Sequence, residues 1–112
     1  MALPDAMLDE LIALTRDPDP KIRVEALHEL CPCQLKADYE RAWDRIIEMV
    51  EDDNVRVRGA VFHPLGDGSP RHREHDVVGA IRKLEHDGDK KLRRRARKLI
   101  ANYERTGKIN VL

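Results

Sequence analysis

The stretch Asp17-Pro-Asp-Pro-Lys-Ile-Arg-Val-Glu-Ala-Leu-His-Glu-Leu30 decides the fold, because its pattern returns twice further along the chain. An offset of 35 residues aligns it, without a gap, with Asp52-Asp-Asn-Val-Arg-Val-Arg58 and with Asp87-Gly-Asp-Lys-Lys-Leu-Arg93. Nine columns of similar residues run through the three copies, among them the sets Leu8, Trp43, Val78 and Leu30, Leu65, Ile100. A fixed period of about this length is typical of repeat proteins built from small helical units.

Each copy predicts two helices joined by a short turn. In the first copy, apolar residues with helical spacing mark one face of a first helix and one face of a second, namely Leu8, Leu11 and Ile12, then Ile22, Ala26 and Leu30. Asp19 is well placed to cap the second helix, with Pro20 at its first position. Asn54 and Asp89 are predicted to cap the equivalent helices of the other copies.

These signals predict an all-α fold, a right-handed α-α superhelix of three helix pairs. The units are expected at about 5–31, 38–66 and 70–106, with Ser69-Pro70 as the cap that opens the third unit. One pair cannot bury its apolar face alone, whereas three stacked pairs share a continuous core. The third unit is expected to be a polar cap.

The C-terminal tail, residues 107–112, has a different character from the helices. Gly107 is suited to end the last helix. Ile109, Val111 and Leu112 then form an apolar ending, which is predicted to cover the exposed side of the third unit or to dock on a partner or a second copy.

The charges are abundant but unevenly distributed. Charged residues make up 38% of the chain and the net charge is zero. Residues 1–53 carry fourteen acids and six bases, whereas residues 54–112 carry seven acids and fifteen bases. This asymmetry predicts a polarised surface or head-to-tail self-attraction, with the oligomeric state left open. Without a basic leader or an apolar stretch of membrane-spanning length, a soluble, cytoplasmic protein is expected.

The repeated strings resemble the HEAT-repeat family, and look most like its compact bacterial, phycobilin-lyase-like variety. The resemblance covers the chain from about Leu8 to Ile100. It implies a binding module or scaffold for other macromolecules. The sequence contains no catalytic motif, so no enzymatic activity is expected. The resemblance also implies that two columns of charged residues form a ladder of bonds between neighbouring turns. These structural residues are Asp17, Asp52, Asp87, Arg23, Arg58 and Arg93.

A second-helix surface is the first candidate binding site. It comprises the residues of the three second helices that point away from the predicted core: Lys21, Glu25, His28, Arg56, His63, Lys91, Arg95 and Lys98. Five bases and one acid would attract a protein with an acidic surface. A nucleic-acid backbone is the alternative partner, since residues 90–98 form a basic run. The surface also fits an ordinary solvated helix face.

A Cys/His cluster is the second candidate site. The residues His28, Cys31, Cys33, His63, His72 and His75 are predicted to lie near the turns between units. Two thiolates and two imidazoles could hold zinc in a tetrahedral site, with iron as the other metal considered. The competing interpretation is reduced thiols, with Cys31 a small buried apolar residue and surface histidines. No other cofactor is expected.

Overall fold

The regular structure of the chain is helical throughout the part that the computed structural model describes, residues 3–31, 35 and 38–110. The α-helices are α1 (Asp5–Leu14), α2 (Pro20–Leu30), α3 (Glu40–Glu48), α4 (Val55–Ala60), α5 (Phe62–Gly66), α6 (Glu74–Leu84) and α7 (Lys90–Thr106). Two short 3-10 turns, Met49–Glu51 and Arg71–Arg73, extend α3 and precede α6. The helices fall into three groups along the chain, α1–α2, α3–α5 and α6–α7, while the unit boundaries stay a prediction.

The second helices begin at the predicted caps. The Asp19 carboxylate accepts a hydrogen bond from the Lys21 N–H at 2.9 Å. The Asn54 and Asp89 side chains accept bonds of the same kind from the first turns of α4 and α7. Each cap satisfies backbone donors that have no partner inside the helix. The three cap predictions are confirmed.

The second helix of the middle unit is divided, which the repeat pattern did not predict. Proline has no N–H, so Pro64 cannot donate to the carbonyl of Ala60, and its ring crowds that carbonyl. The helix accordingly separates into α4 and α5 at Val61. The Leu65 N–H still donates to the Val61 carbonyl at 3.1 Å, so the chain continues in the same direction.

The joint before the third unit also differs from the expectation. Ser69 does not cap a helix, since Pro70 leads into the 3-10 turn and α6 begins only at Glu74. The Ser69 hydroxyl and N–H instead donate to the side-chain oxygen of Asn110, at 2.8 and 2.9 Å. The C-terminal tail is therefore bound to this joint.

The tail turns back after the last helix. Gly107 has a φ of 74°, a left-handed conformation that glycine adopts without the steric cost of a side chain. Ile109 follows and is fully buried in the core. Ile109 thus packs into the protein's own core, while cover of the outer side of the third unit stays a prediction, and Val111 and Leu112 lie outside the described residues.

The units stack so that their first helices form one layer and their second helices another. Helices α1, α3 and α6 pack in sequence, and α2 packs against α4. The largest fully buried side chains include Trp43, Ile46, Phe62 and Ile81, which contribute to one continuous core. The result is a helical solenoid, as predicted, while its right-handed sense stays a prediction.

Candidate partner-binding surfaces

Two arginine–aspartate rungs join neighbouring units. Arg23 donates from Nε and Nη2 to the two carboxylate oxygens of Asp52, both at 3.0 Å, and Nη2 also reaches Asp53 at 2.9 Å. Arg58 donates in the same way to Asp87, at 2.8 and 3.2 Å. Such paired bonds fix both distance and orientation, so each rung sets the register between two units.

Each ladder arginine also holds the turn of its own unit. In Arg23, Arg58 and Arg93, Nη1 donates to the carbonyl oxygen six residues earlier, at 2.8, 3.0 and 2.8 Å. The guanidinium therefore crosses from one inter-helix turn to the next. The ladder columns connect neighbouring turns, which is a structural arrangement.

The rungs keep their side chains charged. The hydrogen bond to Asp52 raises the pKa of Arg23, and this effect outweighs partial burial. Burial by itself would raise the pKa of Asp87, but hydrogen bonds from Arg58 and from the Asp89 N–H hold that pKa below its usual value. A carboxylate that stays ionised between fixed donors suits a structural link better than proton transfer.

The eight residues of the second-helix surface are all exposed on α2, α4, α5 and α7. Arg95 lies over the ring of Phe62, with its guanidinium carbon 4.7 Å from the ring centre, so α7 is anchored against the middle unit. His63 approaches the Asp67 carboxylate at 3.7 Å. The predicted residues are therefore all open to solvent, and their joining into one binding surface stays a prediction.

The basic run of residues 90–98 is distributed over two surfaces of α7. Leu92 and Ala96 are buried, and Arg93 belongs to the ladder. Lys91, Arg95 and Lys98 lie on the second-helix surface. Arg94 and Arg97 are also exposed, but they stand at repeat positions that face the next unit elsewhere in the stack. The run is thus not a single phosphate-binding strip.

The Cys/His residues are only partly placed by the structure. Cys31 is buried, while the four histidines of the predicted cluster are exposed. His72 Nε2 lies 2.5 Å from a carboxylate oxygen of Glu40. Among the described residues, no three His, Cys, Asp or Glu side chains are arranged to hold a metal ion. Cys33 lies outside those residues, so the metal site stays a prediction that metal analysis of the purified protein would test.

An ion-pair network between α3 and α6 was missed in the sequence. Arg73 donates to Glu40 at 2.8 Å, to Asp44 at 2.7 Å and to Asp76 at 3.0 Å. Burial alone would lower the pKa of Arg73, but these three carboxylates raise it. Hydrogen bonds from His72 and Arg73 in turn lower the pKa of Glu40. The repeat pattern could not reveal this network, because the residues equivalent to Arg73 are not arginines.

Comparison with known proteins agrees with this architecture. The family model described as HEAT repeats matches residues 8–101. The chain belongs to the HEAT repeat family. No match was found among the curated proteins or among the solved structures. Proteins built of HEAT repeats commonly mediate protein interactions. Within the described ranges, this HEAT repeat protein has no helix long and apolar enough to cross a membrane.

Proposed function

We propose that this HEAT repeat protein is a non-enzymatic binding module that holds an acidic surface of a protein partner on its second-helix surface. The observation that carries the proposal is the exposure of equivalent positions in all three units, with five bases and one acid among them. Stacked repeats place equivalent positions side by side, so these charges act on the same partner.

The bases of this surface lack ion pairs within the part of the chain that the structure describes. Among the described residues, no carboxylate forms a salt bridge with any of the five, which are Lys21, Arg56, Lys91, Arg95 and Lys98. On the first-helix layer, by contrast, Arg41, Arg73 and Lys83 are each paired with acids of another unit. An unpaired group of like charges keeps its field in solution, and that field speeds encounter with an acidic partner.

A labelled poly-glutamate peptide is a suitable first probe of this surface. Its binding is measured by fluorescence anisotropy at low and at physiological salt, for the wild type and for the triple variant Lys91→Glu, Arg95→Glu, Lys98→Glu. We expect the variant to bind at least about tenfold more weakly, because attraction becomes repulsion over one third of the surface. Thermal unfolding checks that the variant remains folded without the contact between Arg95 and Phe62.

A matched control separates this surface from net charge. The variant Arg71→Glu, Arg105→Glu, Lys108→Glu makes the same change in charge at exposed positions elsewhere. It is expected to bind the peptide nearly as well as the wild type. Equal losses in the two variants would mean that the peptide responds only to net charge, and the proposal would then be abandoned.

Duplex DNA tests the second candidate function, binding of a nucleic-acid backbone. The observation that favours it is the set of exposed bases on α7: Lys90, Lys91, Arg94, Arg95, Arg97 and Lys98. A backbone binder would prefer the duplex to the peptide and would lose affinity steeply as salt rises, because bound counterions are released. That result would identify a nucleic acid, and not a protein, as the partner of this surface.

A further inference from the structure

The ladder is open on the outer side of the first unit. Asp17 occupies the position that Asp52 fills in the second unit. Its carboxylate accepts a hydrogen bond from the Asp19 N–H at 2.8 Å, as Asp52 does from the Asn54 N–H at 2.9 Å. The turn therefore holds Asp17 as it holds Asp52. Within the described part of the chain, no arginine donates to the Asp17 carboxylate.

The ladder is also open on the outer side of the third unit. Arg93 donates from Nη1 to the carbonyls of Asp87 and Gly88, at 2.8 and 3.0 Å. Arg23 and Arg58 bind their own turns through the same nitrogen, so Arg93 is held like the two arginines that form rungs. Across residues 3–31, 35 and 38–110, no carboxylate accepts from its Nε or Nη2. The Nε and Nη2 donors of Arg93, on the outer side of the third unit, thus match the carboxylate oxygens of Asp17, on the outer side of the first.

The outer side of the first unit is unusually apolar. Met7 is 52% exposed, whereas Ala42 and Val77, at the same repeat position, are 2% and 0% exposed. Leu14 is 38% exposed, whereas its two counterparts are each 1% exposed. Among the described residues the third unit packs only against the unit before it, and its residues at these positions are buried. Met7 and Leu14 therefore lie on the side of the first unit that, in the second and third units, packs against the unit before.

The outer side of the third unit carries exposed arginines on α7, Arg94 and Arg97. Arg97 stands at the repeat position of Phe62, which is fully buried under Arg95 of the following unit. If another first unit followed the third in the same register, its Glu25 would take the place of Arg95. The Glu25 carboxylate would then lie over Arg97, in the way that the Arg95 guanidinium lies over the Phe62 ring between the second and third units. The two outer sides are complementary in charge as well as in their ladder groups.

We propose that a second copy of this chain stacks head to tail on the first, with Arg93 of one copy donating to Asp17 of the next as an intermolecular rung. Residues 1–53 carry a net charge of −8 and residues 54–112 a net charge of +8, which favours contact between the first unit of one copy and the third unit of another. The apolar stems of the third unit's arginines cover Met7 and Leu14 of the next copy. The contact uses two different surfaces, so it adds copies into an open chain or a ring and does not stop at a symmetric dimer.

Sedimentation velocity over a wide range of protein concentration tests the assembly. The average mass of the wild type is expected to rise steadily with concentration, without stopping at a dimer, and to fall as salt screens the charges. Asp17→Arg and Arg93→Ala are each expected to keep the protein monomeric. The matched control Glu48→Arg changes an exposed acid away from both outer sides and should assemble like the wild type.

Mixing the two variants tests the polarity of the contact. The Asp17→Arg chain keeps a native third unit, and the Arg93→Ala chain keeps a native first unit. Together they are expected to form a complex of one copy of each that grows no further, because only one native contact can form. Circular dichroism confirms that both variants are folded. A wild type that stays monomeric at millimolar concentration overturns the proposal, and so does assembly that both variants retain.

Discussion

The two interfaces between units share a backbone register but differ in chemistry, most clearly at one buried position. In the first interface, Arg45 donates from Nε to the Thr15 hydroxyl at 2.8 Å and from Nη2 to the Thr15 carbonyl at 3.1 Å. In the second interface, Ala80 and Val50 stand at the same repeat positions, and both are buried. An interface therefore accepts either an arginine hydrogen-bonded to a threonine or two apolar residues at this site, provided that every buried polar group has a partner.

Burying the Arg45 charge has a free-energy cost that the apolar residues of the second interface do not have. Burial lowers the pKa of Arg45, which shows that its charge is less well solvated there than in water. The rungs that fix the register are common to both interfaces. We infer that the first unit is the more weakly held end of the stack, since its outer side is also uncovered.

The largest expected effect comes from the core column shared by the units. Ile46→Ala removes a fully buried side chain from the middle unit, which packs on both neighbours. The free energy of unfolding is expected to fall by about 3–5 kcal/mol, from lost transfer energy and from the cavity left behind. Leu11→Ala, at the same repeat position in the half-buried first unit, should cost less than half as much. Urea unfolding of both variants makes the comparison, and equal losses would show that the first unit is packed as firmly as the second.

The rungs rank next. Arg58→Ala removes both guanidinium bonds to the Asp87 carboxylate, whose side chain is only 7% exposed, and leaves it the Asp89 N–H. A loss of about 2–3 kcal/mol is expected, because a charged acceptor loses its charged partner. Arg93→Ala is the matched control, since it removes only bonds to its own turn. It should cost about 1 kcal/mol or less at concentrations where the protein is monomeric. Similar losses would mean that the rungs add little to the bonds within each turn.

Acid should weaken the second rung by a smaller amount than removal of Arg58. The pKa of Asp87 is lowered in the folded protein, so the rung stabilises fully above the ordinary carboxyl pKa and loses that effect as the pH falls through the folded value. The neutral acid still accepts hydrogen bonds, which limits the loss. Thermal unfolding of the wild type and of Asp87→Asn, followed below about pH 4, should show the two stabilities converging. If the stabilities of the two proteins fell in parallel with pH, Asp87 would not contribute to the loss of stability in acid.

The sequence predicted the features that repeat and missed those that do not. Asp19 is an example of the first kind, because its role as a cap depends on local spacing alone and recurs in each copy. Arg73 and Asn110 are examples of the second kind. Arg73 reaches Glu40 and Asp44, and Asn110 reaches Ser69, over at least 29 residues of chain. The positions equivalent to Arg73 hold Leu3 and Asp38, so the repeat does not point to its role. Such contacts depend on the packed geometry, which no periodicity encodes.

The candidate surfaces follow the same division. The exposure of the second-helix residues could be predicted from helical spacing, because the opposite face of each helix is apolar. The division of the α7 bases between two surfaces could not, since it depends on which side of α7 the middle unit occupies. Met7 shows a signal that was present but unused. Its column contains Ala42 and Val77, and only the order of the units reveals that Met7 lacks a covering neighbour.

Converting the first interface to the chemistry of the second is expected to have a moderate effect. Thr15→Val removes the hydroxyl that accepts from Arg45 Nε but keeps the carbonyl that accepts from Nη2, whereas Arg45→Ala removes the charge itself. Each single change should cost about 1–2 kcal/mol. The double variant has the apolar pair of the second interface. It should lose less than the sum of the single losses by about 1 kcal/mol, because no charge is left with part of its hydrogen bonding missing. Additive losses in urea unfolding would show that the two side chains act independently.

The smallest expected effect concerns an exposed ion pair whose sign is reversed between the interfaces. Arg16 pairs with Glu48 across the first interface at 3.8 Å, and Glu51 pairs with Lys83 across the second at 2.5 Å. These pairs occupy the same two repeat positions with acid and base exchanged, so either order fits the register. Arg16→Glu combined with Glu48→Lys should change the free energy of unfolding by less than about 0.5 kcal/mol, since exposed pairs are hydrated and screened. A larger loss would mean that the order of charges at this position helps to define which unit follows which.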